Sequence, residues 1–288
     1  MRLRSPLFAP GDSARKAEKA IASDADCVIL DLEDSVAAPA KDAARRQTAA
    51  IVEGADAAIR KRLVVRVNPI GTPWYLADLA AVARTAPAAI MLPKCRGSAD
   101  LIVLDHHLAA LEAAAGLTLG GIGVIAIATE TAGSVAGLPS YAERAPRLVA
   151  LCFGAEDLSA DLGIAPRSSD GSFTAPVVAA RGQILLAAGA AGVPVIDTPW
   201  PDPRDPEGMA REAAAAATDG FAGKLLIHPA QIEAAHKAFT PPPEQVAWAR
   251  RVREAFDAAP NAGVLSLDGK MIDRPHLKLA DRILSAVT

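Results

Sequence analysis

Acidic residues stand where apolar runs stop, and this spacing is the first sign of chemistry in the chain. Val28-Ile29-Leu30 runs into Asp31-Leu32-Glu33-Asp34, and the mostly apolar stretch 122–128 ends at Thr129-Glu130. Likewise, 148–153 ends at Gly154-Ala155-Glu156-Asp157. Short apolar runs bounded by helical stretches read as buried parallel strands. Carboxylates at their exits collect at one end of a sheet, where proteins of this architecture hold a metal and a substrate. Glu130 and Asp157 lead, because their strands are consecutive and neighbouring strands run about 5 Å apart. Two such carboxylates make a hard oxygen site suited to Mg2+, with Mn2+ as the alternative. The competing account is that each caps the next helix, a role open to Asp157 ahead of Leu158-Ser159-Ala160-Asp161.

Other charged groups fall at equivalent exits. Some of Asp31, Glu33 and Asp34 would hydrogen-bond waters on the metal; the alternative is a solvated acidic turn with Asp34 pairing locally. Arg66 ends the β-branched run Leu63-Val64-Val65, where burial demands an anion. A substrate carboxylate or enolate, gripped bidentately, would serve; so would a salt bridge to Glu33 or Glu130. Lys94, after Met91-Leu92-Pro93, is read as electrostatic support in preference to a Schiff-base lysine. His228 sits at the start of a helix, where capping or packing accounts for it equally well. No Ser-His-Asp set and no G-x-S-x-G elbow is evident.

These groups need a frame. Strand signals occur at 3–9, 25–31, 62–67, 88–92, 122–129, 148–153, 193–197 and 224–227. Helical stretches alternate with them at 13–23, 39–58, 74–84, 98–115, 138–143, 175–191, 206–218 and 229–239. Eight β/α units over roughly 240 residues are what a TIM (β/α)8 barrel requires. A doubly wound sheet is the competitor, but Gly120-Gly121-Ile122-Gly123 precedes a strand where that fold needs a glycine turn after one. The triproline Pro241-Pro242-Pro243 separates a catalytic barrel, 1–239, from a C-terminal helical extension, 240–288, able to lie over a barrel mouth, its own or a neighbour's.

Bulk properties narrow the class. With 288 residues, 51% hydrophobic and 4% aromatic, the chain suits an alanine-rich α/β core. A net charge of −3 offers no whole-chain field for nucleic acid or an acidic membrane. Cys27, Cys95 and Cys152 lie far apart and read as buried small hydrophobes. No signal peptide or membrane span is recognisable, so a cytoplasmic location is expected.

Taken in order, the motifs resemble one family. Leu7-Phe8-Ala9-Pro10-Gly11, Ile29 to Val36, Arg66-Val67-Asn68-Pro69, Leu92-Pro93-Lys94, Thr129 to Gly133, Phe153 to Leu158 and Gly223 to Pro229 are similar to those of the citrate lyase β-subunit-like and malyl-CoA lyase proteins of the HpcH/HpaI aldolase superfamily. The resemblance implies Mg2+ held by Glu130 and Asp157, with Arg66 binding substrate. It implies contacts from Phe8 and Lys19 to CoA, although Ser13 stands where some relatives have a basic contact. It also implies that Asp273, in Asp268-Gly269-Lys270-Met271-Ile272-Asp273, supplies a catalytic carboxylate to an adjacent subunit of a homotrimer or hexamer. The expected activity is cleavage or formation of a 3-hydroxyacyl-CoA, such as malyl-CoA or citramalyl-CoA, yielding an acyl-CoA and a 2-oxo acid. The alternatives are a metal-dependent 2-keto acid aldolase without CoA and a citryl-ACP lyase subunit of a larger complex.

Overall fold

Eight parallel strands pair in chain order, β1 (Pro6–Pro10), β2 (Cys27–Asp31), β3 (Leu63–Arg66), β4 (Ala89–Leu92), β5 (Gly123–Ile127), β6 (Leu148–Cys152), β7 (Val195–Asp197) and β8 (Gly223–Lys224). The structure is a computed structural model describing residues 1–143 and 146–287. Each strand falls where the apolar runs place it, displaced by at most three residues at an end. The sheet then closes. Phe8 N donates to Leu226 O and Leu226 N to Pro6 O, both at 2.8 Å, and Lys224 N donates to Arg4 O at 3.1 Å. Consecutive order plus closure makes this a TIM barrel and rules out the doubly wound sheet. At the seam a Cβ on Gly223 would lie 1.8 Å from Leu3 O, so only glycine lets the last strand reach the first.

Side-chain parity along the strands separates two cores. Cys27, Ile29, Val64, Ala89, Met91, Ile125, Ile127, Ala150, Cys152, Ile196 and Leu225 fill the barrel interior. Their neighbours, such as Val28, Leu30, Val65, Ile90 and Leu151, face the helices. The helical layer comprises α1 (Ala14–Ile21), α2 (Lys41–Gly54), α3 (Ala57–Arg60), α4 (Tyr75–Val82), α5 (Ser98–Ala114), α6 (Ala132–Gly137), α7 (Ala155–Leu162), α8 (Ala175–Ala191), α9 (Pro206–Asp219) and α10 (Ile232–Phe239). Of these, α6 and α7 were not expected. They are short, and Gly133 and Gly137 weaken the helical signal of α6, so neither shows a full apolar period. The stretch expected at 138–143 is a 3-10 turn, Leu138–Ala142, continuing α6.

Where β5 and β6 begin, at the end remote from the acidic exits, the barrel is locked by a buried ion pair. Arg147 Nη1 and Nη2 each lie 2.7 Å from a Glu112 oxygen, and Glu112 also accepts Gly120 N and Ile122 N at 2.8 and 2.9 Å. Removing one partner of such a pair strands the other charge. Glu112→Ala is therefore expected to cost about 3–5 kcal/mol in denaturant unfolding. A loss under about 1 kcal/mol would show that water reaches the pair.

The tail leaves from this same end: Arg4, just before β1, donates from Nη1 to Thr240 Oγ1 at 2.8 Å. It consists of α11 (Pro243–Ala258), a hairpin of β9 (Val264–Leu267) and β10 (Lys270–Asp273), and α12 (Arg274–Ser285). The expected turn at Asp268-Gly269 joins the hairpin, with φ of 53° and 73°, as a two-residue primed turn requires. Ala249, Val252, Phe256, Ile272 and Ala280 form a small core of their own. Arg282 in the last turn of α12 donates to Gly220 O at 3.2 Å, again at the end away from the strand exits. Among the described residues no helix is long and apolar enough to cross a membrane.

Candidate active site at the strand exits

Strand parity brings the first charged pair together. Asp31 and Arg66 are partners in the β2–β3 register. Asp31 continues the inward face of Cys27 and Ile29, and Arg66 that of Val64. Asp31 Oδ1 accepts Arg66 Nε at 2.7 Å and Oδ2 accepts Nη2 at 2.8 Å, forming a bidentate fork. The same oxygens accept Glu33 N at 2.9 Å and Ser35 N at 3.1 Å. A carboxylate has about four lone-pair sites, and these four donors fill them. Asp31 thus spends its acceptors on Arg66 and on the backbone that follows it. The Arg66 guanidinium holds its carboxyl below the usual range despite burial, and Arg66 stays charged. The Phe8 ring stacks with its centroid 4.8 Å from Arg66 Cζ.

A second group assembles around Lys94. Its Nζ lies 2.6 Å from Glu33 Oε1 and 3.5 Å from Asp157 Oδ1, while its backbone N donates to Glu130 Oε2 at 2.5 Å. To do this Lys94 takes a φ of 51°, a conformation costly for a side-chain-bearing residue and concentrated at functional sites. Arg66 Nη1 is 3.0 Å from Glu33 Oε2, yet that oxygen has no partner in hydrogen-bond geometry. Both salt-bridge readings of Arg66 thus miss its main partner, Asp31, and catch only Glu33. Carboxylate partners raise the Lys94 pKa, so it stays an ammonium and is unsuited to Schiff-base chemistry.

Glu130 shows what these groups are suited to hold. It is 2% exposed, and burial together with the Glu33 charge pushes its carboxyl up to about 8. Asp157 adds to that repulsion from the third residue of α7, where it is half-exposed. Gly154 is the N-cap of α7, so Asp157 is not its cap. Among the described residues no three His, Cys, Asp or Glu side chains converge on a metal site. Two carboxylates that repel one another fit a hard divalent ion that keeps several non-protein oxygens, as Mg2+ does. Gly154 gives Glu130 its room: a Cβ there would lie 2.8 Å from Glu130 Cγ. Gly154→Ala is expected to weaken Mg2+ binding about tenfold, read by calorimetry, without unfolding the barrel. Unchanged affinity would show that Glu130 can move freely.

Several supports carry no motif of their own. Lys41 Nζ donates to the carbonyls of Leu32 and Glu33 at 2.7 Å each and to Asn68 Oδ1 at 2.8 Å. Asn68 Nδ2 donates to Asp78 Oδ2 at 2.7 Å, and Arg45 Nε to Asp78 Oδ1 at 2.9 Å. This chain pins the loop that carries Glu33. Only Asn68, two residues beyond Arg66, gave a sequence hint.

Other expected residues lie apart. Lys19 is exposed in the last turn of α1, with no contact to the mouth among the described residues. Asp273 Oδ1 lies 2.5 Å from His276 Nδ1 in the same tail, with no contact to this chain's own mouth among the described residues. His228 accepts Ala230 N at 3.2 Å as a helix cap. The three cysteines are buried, and burial raises their thiols, Cys27 to about 12 and Cys95 to about 11.

Residues 4–229 match the family model for HpcH/HpaI aldolase/citrate lyase. The chain belongs to that family. Citrate lyase subunit beta of Escherichia coli K12 is 35% identical over 98% of this chain and 92% of its own length. The (3S)-malyl-CoA thioesterase of Cereibacter sphaeroides is 37% identical, over 98% and 93%. Among solved structures, CitE of Mycobacterium tuberculosis in complex with magnesium, acetoacetate and coenzyme A superposes with a TM-score of 0.77. It is 37% identical and covers 99% of this chain and 98% of that one. The family makes this chain a carbon–carbon lyase by class.

Proposed function

We propose that the protein is a Mg2+-dependent lyase that cleaves or forms a 3-hydroxyacyl-CoA, giving an acyl-CoA and a 2-oxo acid. The observation that carries this reading is Glu130, a buried carboxyl beside Glu33 and Asp157, next to an Arg66 already charged and fixed. The magnesium, acetoacetate and coenzyme A bound by the M. tuberculosis relative support it. Glu130 and Asp157 would hold the ion, which when bound supplies Lewis-acid polarisation of a substrate oxygen.

The chain's own residues carry the remaining work. A base takes the proton of the substrate hydroxyl, whose oxygen becomes the carbonyl of the 2-oxo acid as the C–C bond breaks, and the electron pair of that bond moves into the thioester as an enolate. Arg66 donates to the enolate oxygen, where charge develops mainly in the transition state. Lys94 stays an ammonium and holds Glu33 and Asp157 in place. Protonation at the enolate carbon falls to Asp273 of an adjacent copy. The tail leaves its own barrel at the end away from the mouth, which supports supply in trans within a cytoplasmic homotrimer or hexamer. Phe8 and Lys19 would contact CoA, Lys19 through its exposed position on α1.

A panel of 3-hydroxyacyl-CoA thioesters, assayed with and without Mg2+, tests the reading. Acyl-CoA and 2-oxo acid should appear together and only with metal. Release of free thiol without a 2-oxo acid would replace the lyase with a thioesterase, a reading that the likeness to malyl-CoA thioesterase favours as second. CoA-independent turnover of pyruvate would replace it with an aldolase. Activity only in the presence of partner subunits would point to a citryl-ACP lyase component.

A further inference from the structure

A carboxylate can protonate an enolate carbon only after a proton has been handed to it, and the tail places a donor beside Asp273. His276, the third residue of α12, has Nδ1 2.5 Å from Asp273 Oδ1 and 3.2 Å from Asp273 N. The two contacts make opposite demands. Asp273 N–H can donate only to a bare Nδ1, whereas a nitrogen and an oxygen that both carry lone pairs approach so closely only with a proton between them. The shorter contact governs, so one proton lies between imidazole and carboxyl. Hairpin register shows where this pair faces. Asp273 stands opposite Val264 and Met271 opposite Ser266, on the face away from Leu265 and Ile272, which pack in the tail core. Val264 and Met271 are 58% and 63% exposed, so among the described residues this chain leaves that face uncovered.

We infer that His276 is a positioning residue for Asp273: it fixes the carboxyl by Oδ1 and holds the proton that Asp273 delivers to the enolate carbon in an adjacent copy. The inference rests on the lyase reading and adds to it the source of that proton. In cleavage the Oδ1–H bond breaks as the electron pair of the enolate forms the new C–H bond. The carboxylate left behind takes the Nδ1 proton of His276, and water resupplies the ring, which is 39% exposed. Condensation runs the same transfers backward. A capping box alone, with Asp273 N donating to a bare Nδ1, needs no proton there.

The NMR shifts of the ring nitrogens separate the two arrangements in the wild type, with neither metal nor substrate present. Neutral His276 should carry its proton on Nδ1. A proton on Nε2 with Nδ1 bare would reduce the contact to a helix cap and overturn the inference, whether or not the protein cleaves thioesters. His276→Gln supplies the second test, because glutamine is a usual residue at this place in a capping box but has no proton to pass on. Its kcat for cleavage should fall by about 100-fold. The KM for the thioester and the Mg2+ affinity should stay within about twofold, since His276 touches neither ligand. Wild-type kcat in the variant would overturn the inference, and so would a loss spread equally over kcat, Mg2+ affinity and melting temperature. Should the variant fail to fold, the ring shifts of the wild type decide alone. A wild type that shows the Nδ1 proton but turns over no thioester would defeat the lyase reading alone and leave the Asp273–His276 proton pair standing.

Discussion

Glu130→Gln is expected to remove metal-dependent turnover, by at least about 100-fold, while leaving the barrel folded. The reason lies in the charge state of the metal-free protein. Burial and the Glu33 charge push the Glu130 carboxyl up to about 8, so at pH 7 it carries its proton until a cation displaces it. The amide imitates that protonated form, so the melting temperature without metal should hold or rise slightly. The rise on adding Mg2+ should vanish. In the wild type the sign is fixed: metal and proton compete for Glu130, so Mg2+ affinity should climb from pH 6 toward about 8 and then level off. Calorimetry in two buffers of different ionisation enthalpy would register the released proton. A variant that kept both turnover and the thermal response would remove Glu130 from the site.

Arg66→Ala should have the other large effect, in two separable parts. It deletes the counter-charge of Asp31 and Glu33, which are 2% and 4% exposed, so stability should fall by about 3–5 kcal/mol. It also removes the donor to the developing enolate, costing about 100- to 1000-fold in kcat at saturating Mg2+. Calorimetric Mg2+ affinity separates the parts, because Arg66 makes no ion pair with Glu130 or Asp157 among the described residues. A variant that is destabilised yet turns over near the wild-type rate would confine Arg66 to holding the barrel mouth together.

Much of this was readable before any coordinates. Alternating apolar runs marked all eight strands, and the acidic exits marked the end that carries the site. Parity would even have paired Asp31 with Arg66, because 27, 29 and 31 share a face, as do 64 and 66, in adjacent strands. Charge at the exits alone, without register, points instead to Glu33 and Glu130. The roles of Lys41 and Asp78 are not legible, because their meeting with Asn68 depends on how the β2–α2 loop folds back, which no period encodes. Short α6 and α7 escaped for lack of a full turn-to-turn pattern, and with them the placement of Asp157 inside a helix.

The hydrogen bonds that link Arg4, Pro6 and Phe8 with Lys224 and Leu226 also bear on how the molecule is made. A ribosome delivers the first stave long before the last, so through most of synthesis two raw margins of sheet and a wet column of Leu3, Ile29 and Met91 stand open. Any chain halted before Gly223 would stay in that state, ready to zip onto a like fragment or to be claimed by a chaperone.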